Sequence, residues 1–359
     1  MTHLELFAGI GGFRQAMDLL TNDNIMHFNS IGFSEIDSKA SATYKANYHP
    51  VENEIEMGDI VSFTANPKNI ENLPDFDLLT GGFPCQTFSL MGKKAGFDED
   101  RGQMFFRIID ILQVKHPRYV MLENVKNLVN HDKGKTIKKI INELEILGYH
   151  VFYNIFNTSD FHLPQTRNRL VLFATTENID TQWMRKNFVP TNVQSTFDRD
   201  YLKLSPFHYK DVTDILSQKV DSKYFLSERI KPTVLADGSA NFKSKSEINM
   251  LIARPLTATM HKMHRACQDN YYSQDFIESH GTINLASKYT KEQLTQLPIR
   301  KITPEEAFML QGFPPSFATN GRNSGVADGS LYKQAGNAVS VNTIYAILYY
   351  LITNNIIIE

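Results

Sequence analysis

Cysteine is nearly absent: two residues in 359, Cys85 and Cys267, with no paired spacing. That excludes a disulfide framework and a four-cysteine zinc site, and it fits a reducing compartment. Charge of neither sign prevails, since 37 Lys and Arg against 39 Asp and Glu leave −2. No global field draws the chain to nucleic acid, so any such binding rests on local clusters. A charged and apolar leader is also missing, because strand-like sequence starts almost at Met1, and the expectation is a cytoplasmic protein. Long apolar runs are scarce. The most apolar segment, Val339 to Ile358, is interrupted by Asn342, Thr343, Thr353, Asn354 and Asn355, which is costly in hydrocarbon and tolerated in a packed helix. A core helix and no membrane contact are expected.

What is present, at 42% hydrophobic, suffices for about two domains. Residues 1–175 alternate strand-like runs (Leu4–Ala8, Ile31–Glu35, Phe76–Thr80, Tyr119–Leu122, Val151–Phe156, Leu170–Thr175) with helical ones (Phe13–Leu20, Ser38–Tyr48, Met104–Lys115, Lys135–Leu147). Such alternation predicts an α/β fold, a mostly parallel sheet with helices on both faces, that binds ligands at the carboxyl ends of its strands.

The central stretch is Asp77 to Ser89. Its apolar run is expected to stop at Gly81 and Gly82, with Pro84 fixing the backbone before Cys85 at a strand mouth, where a thiol can be reached and its pKa lowered. Cys85 is a candidate nucleophile. The first strand turns through Phe7-Ala8-Gly9-Ile10-Gly11-Gly12 into a helix, so backbone can approach a ligand closely. Glu35 follows the second strand, where an acid bonds ribose hydroxyls, and Asp37 is also placed to cap a helix. Asp59, after Gly58, could accept from an adenine amine. Together these point to an adenosine-type ligand. Residues 91–102 mix glycines with both charge signs and read as a loop that closes over substrate. Glu123 ends an apolar strand beside Cys85. Arg167 and Arg169, two apart on an extended chain, share a face.

These blocks, Leu6–Phe13, Gly82–Gln86, Glu123–Val125 and Gln165–Arg169, recur in order with Arg300–Ala307, Leu310–Pro314 and Tyr332–Val339. The set resembles the DNA (cytosine-5)-methyltransferases of the bacterial restriction-modification type, over roughly 1–175 and 300–350. The resemblance implies methylation of a flipped-out cytosine in double-stranded DNA with S-adenosylmethionine as methyl donor. It implies Cys85 as the nucleophile that adds to C6, Glu123 as the group bonding N3, and Arg167 and Arg169 holding the base carbonyl and adjacent backbone. Cofactor contacts are implied for Phe7, Gly9, Gly11, Glu35, Ile36, Asp59, Ile60, Pro84, Asn337 and Val339, with Ile36 giving an aliphatic stacking surface. Ser89, Lys93 and Arg101 become phosphate contacts, and Met91 stands where relatives fill the vacated stack. A monomer is expected, with a partner endonuclease acting on the same DNA site.

Residues 185–298 match no block, carry sixteen Lys and Arg against twelve Asp and Glu, and stand where the family keeps its recognition region. Arg254, Thr257, Thr259, His261, Lys262 and Arg265 offer donors for base edges or phosphates. The His261, His264, Cys267 spacing lacks a fourth ligand, so no metal is expected. The expected division is a catalytic domain of 1–184 and 332–359 around a recognition domain of 185–331, with Gly325, Gly329 and Gly336 marking a hinge. A transfer RNA methylase of the same fold is the rival reading, disfavoured by the long variable region.

Overall fold

The computed structural model describes residues 1–84, 104–238, 244–282 and 289–359. The first half runs β1 (Thr2–Leu6), α1 (Gly12–Asn22), β2 (Asn29–Phe33), α2 (Ser38–Tyr48), β3 (Ile55–Glu56), α3 (Ile60–Thr64), α4 (Pro67–Glu71), β4 (Leu78–Gly82), α5 (Met104–Lys115), β5 (Tyr119–Val125), α6 (Lys135–Ile146), β6 (His150–Asn157) and β7 (Asn168–Thr175). The seven strands form one sheet in the order β3-β2-β1-β4-β5-β7-β6. Six run parallel, and β7 lies antiparallel between β5 and β6.

Alternation along the strands builds two cores, one on each face. Tyr119 and Met121 of β5 join a cluster with Phe13, Met17 and Leu20 of α1, whereas Val120 and Leu122 join one with Ile108 and Leu112 of α5 and Ile140 and Leu144 of α6. Each expected strand and helix has an observed counterpart, while the short β3, α3 and α4 were not expected and one strand end differs. Strand β4 does not stop at the glycines. Gly81 and Gly82 pair with Leu122 and Glu123 of β5, and a Cβ on Gly81 would stand 3.1 Å from the Leu6 carbonyl oxygen. Here glycine permits close strand approach rather than ending the strand.

The sheet also buries a polar island. The Glu5 carboxylate is fully buried, facing the backbone amides of Phe13 and Arg14 at the start of α1, and His3 Nε2 lies 2.7 Å from Thr80 Oγ1.

The second half adds α7 (Thr181–Asn187), α8 (Pro190–Asp200), α9 (Lys231–Leu235), β8 (Tyr271–Ser273), α10 (Gln274–Glu278), α11 (Lys291–Leu294), β9 (Ile299–Lys301), α12 (Pro304–Met309), α13 (Pro315–Asn323), α14 (Asp328–Asn337) and α15 (Val341–Thr353). β8 and β9 pair antiparallel as a separate small sheet. Helix α15 packs against α1 and α8, and every residue from Val341 to Leu351 is buried. The stretch Asp328–Thr353 is long and apolar enough to cross a membrane, yet 89% of its most apolar window is buried inside the protein. It is a core helix. Gly329 and Gly336 fall inside α14, and Gly325, at φ +91°, follows the end of α13.

Candidate active site

Reversal of β7 creates the site. In an all-parallel sheet the start of a strand lies at the edge opposite the carboxyl ends; antiparallel β7 instead brings Arg169 beside Val125, at the carboxyl end of β5. A cavity of about 430 Å³ opens along this edge. Of the expected catalytic and cofactor residues, Phe7, Gly9, Glu35, Ile36, Pro84, Glu123, Arg167, Arg169, Asn337 and Val339 line it. The two ends of the chain thus meet around one space.

On the cofactor side, the backbone turns through left-handed residues at Phe7 (φ 53°), Gly9 (φ 57°) and Gly11 (φ 81°). Gly9 N and Asp37 N donate to the two oxygens of Glu35, each at 2.7 Å. Burial raises the pKa of Glu35, and these two amides oppose the shift. Nothing lies within 4 Å of the place a Gly9 Cβ would take, so the glycine serves its backbone angle and leaves open space in front of the turn. Ile36 is 74% exposed at the cavity lip.

Gly11, Asp59 and Ile60 do not line the cavity. A Cβ on Gly11 would stand 2.3 Å from Tyr48 Cε2, so that glycine makes room for a ring behind the turn. Asp59 caps α3, accepting from Val61 N, Ser62 N and Ser62 Oγ. Ile60 is a buried apolar residue. Sequence reasoning overlooked Lys333, whose ammonium lies 2.6 Å from Asp37 Oδ2 across the same cavity.

On the catalytic side, Gly82 of β4 faces Glu123 of β5. Arg169 Nε stands 2.9 Å from Glu123 Oε1 in an ion pair, and Oε1 is buried with no further partner among the described residues. Burial raises the Glu123 pKa, while Arg169 and then Arg167 pull it down. Asn124, buried, donates from Nδ2 to the Phe83 carbonyl at 2.8 Å and anchors the turn that leads through Pro84 toward Cys85. Cys85 itself, with Ser89, Met91, Lys93 and Arg101, lies outside the described residues.

Arg167 sits differently from a base-holding group. Fully buried, it donates from Nη1 to Leu256 O (2.9 Å) and from Nη2 to Gly336 O (3.0 Å) and Ala338 O (2.9 Å). Burial and then the neighbouring Arg169 lower its pKa, with Glu123 opposing. Of the two arginines, Arg169 makes the ion pair with Glu123.

In the expected recognition run, several donors bond one another. Arg265 reaches Thr257, Thr259 (3.1 Å) and Asp269 (2.8 Å), and Arg254 Nη1 donates to Glu247 O at 2.9 Å. Lys262 is exposed. His261 Nδ1 is buried without a partner among the described residues, and burial lowers the ring's pKa. His264 Nδ1 lies 3.3 Å from Tyr271 Oη, and Cys267 Sγ donates to Ser244 O at 3.5 Å.

The fold is that of the S-adenosylmethionine-dependent methyltransferases. The chain superposes on the S. pombe Dnmt2 methyltransferase with a TM-score of 0.75 at 20% identity, covering 100% of each chain. It superposes on the Entamoeba histolytica methyltransferase EhMeth with 0.71 at 19% identity, covering 99% of this chain and 98% of that one. A family model described as C-5 cytosine-specific DNA methylase matches residues 1–353. The chain belongs to that family and is a DNA (cytosine-5)-methyltransferase. It is 38% identical over 352 residues to the Type II methyltransferase M1.ScrFI of Lactococcus lactis subsp. cremoris, covering 96% of this chain and 76% of the relative. It is 35% identical over 356 residues to the Type II methyltransferase M.HpaII of Haemophilus parainfluenzae, covering 96% and 87%.

Proposed function

We propose that the chain methylates C5 of a cytosine flipped out of double-stranded DNA, at one short sequence, as the methylase of a Type II restriction-modification system in the cytoplasm. The observation that carries this reading is the buried carboxyl of Glu123, paired with Arg169 and set against the strand that leads to Cys85. A neutral pyrimidine ring, docked there, could share a proton with the carboxyl at N3 and give its carbonyl to Arg169.

Glu35, with lone pairs to spare, supports ribose binding; the open turn at Gly9 supports close backbone approach; and Ile36 offers a flat aliphatic face. A cavity of about 430 Å³ falls within the range that encloses a small organic cofactor. S-adenosylmethionine, when bound, supplies an electrophilic methyl group. The protein's own part is to make cytosine nucleophilic. The Cys85 thiolate would form a bond to C6, the ring electrons would move toward N3 as Glu123 delivers its proton, and C5 would become electron-rich. Once C5 carries the methyl group and has given its proton to a base such as water, the C6–S bond breaks, the N3 proton returns to Glu123 and the thiolate is restored.

The region 185–331 would serve recognition and 1–184 with 332–359 catalysis, in a monomer, with Lys262 and the Arg254 and Arg265 surroundings toward DNA and Ser89, Met91, Lys93 and Arg101 closing on it. Transfer of labelled methyl groups to duplex DNA, abolished by Cys85→Ala, tests the assignment. Undiminished transfer by that variant would overturn the covalent mechanism.

A further inference from the structure

Residues 164–169 hold together three parts of the molecule that sequence separates widely. Thr166 N donates to Ala253 O at 2.9 Å and Ala253 N to Pro164 O at 2.7 Å. Gln165, buried, accepts from Leu256 N (2.9 Å) and donates to Leu310 O (2.8 Å). Arg167 completes the junction, because its three carbonyl partners belong to two different segments: Leu256 lies in the expected recognition run, whereas Gly336 and Ala338 flank Asn337 on the cavity wall. The two segments also touch directly. A Cβ on Gly336 would stand 2.3 Å from Thr257 C and 2.4 Å from Ala258 N. Two residues after Arg167, Arg169 reaches Glu123.

We infer that Arg167 is a positioning residue, a clamp through which the recognition segment 253–258 and the cofactor wall 336–339 share one placement, so that DNA and cofactor bind cooperatively. This rests on the proposed function, which puts DNA on the first segment and cofactor on the second. A guanidinium suits the role because its planar fork addresses several acceptors at once, which an ammonium on a single stem cannot do in the same geometry. Moving either segment alone would strand a buried carbonyl or a buried cationic N–H, and that cost links the two positions.

The test is the affinity for S-adenosylhomocysteine, measured by calorimetry with and without duplex plasmid fragments, for the wild type, Arg167→Lys and Gly336→Ala. Gly336→Ala forces the same junction apart while leaving the arginine intact, so either folded variant suffices. The wild type is expected to bind the nucleoside about tenfold more tightly with DNA present, and this ratio is expected to collapse toward one in the variants, whatever their affinity without DNA. A mere loss of stability would lower both affinities and leave the ratio. A folded variant that keeps the wild-type ratio, or a wild type with a ratio of one, would overturn the clamp. A wild type that binds neither ligand would instead overturn the proposed function.

Discussion

Arg169 Nε and Glu123 Oε1 stand 2.9 Å apart where antiparallel β7 meets β5. The arginine opposes the rise in pKa that burial imposes on the carboxyl. Removing it with Arg169→Met should raise that pKa further, so Glu123 keeps its proton to higher pH. The basic limb of the rate–pH profile is expected to move upward, even as the overall rate falls. Glu123→Ala should reduce methyl transfer by about a hundredfold or more. An unshifted basic limb in Arg169→Met would mean that the limb does not report Glu123.

Asn124 carries a different burden. Its donation to the buried Phe83 carbonyl fixes the backbone two residues before Cys85. Asn124→Ala removes that hydrogen bond, at a cost of about 0.5–1.5 kcal/mol. A lowered melting temperature together with a fall in kcat larger than any change in cofactor affinity is expected. Wild-type kcat would contradict the anchoring role.

Asp37 and Lys333 close one side of the cavity, and Asp37 also caps α2. Asp37→Asn preserves the cap and removes the charge. Since partly exposed ion pairs contribute little, Asp37→Asn and Lys333→Met should each speed release of S-adenosylhomocysteine by only about two- to fivefold, and the double variant should add nothing further. Additive effects in stopped-flow release would show that the two residues act separately.

Glu5 sets a pH dependence of stability. Burial pushes its pKa up to about 8, with Arg14 and amides at the start of α1 opposing. The folded chain then keeps a proton that the unfolded chain releases above its ordinary pKa of 4.5, so stability is greatest below that value and falls until pH passes about 8. Glu5→Gln lacks this loss. Urea denaturation should show the variant gaining roughly 2–3 kcal/mol on the wild type between about pH 6 and about pH 8. Parallel curves would contradict the burial argument.

The first half of the fold was legible because its signals are local: period-two apolar runs, glycine turns and helix caps. The strand direction of β7 was not, since antiparallel pairing depends on partners far along the chain, and without it Arg169 could not have been set against Glu123 by reasoning. Asp59 and Gly11 have local partners that the sequence pattern did not announce, a helix cap and a tyrosine ring. The Arg167 bonds were invisible because their acceptors are backbone carbonyls, which leave no mark in side-chain identity. Asn124 and Lys333 lay within the matched blocks, where only contact geometry singles them out.

The most direct measurement is bisulfite sequencing of unmethylated plasmid DNA after incubation with the protein and S-adenosylmethionine. Protection of cytosines confined to one short sequence, and lost with Cys85→Ala, is the expected result. Uniform conversion by a preparation that binds the cofactor would contradict the account.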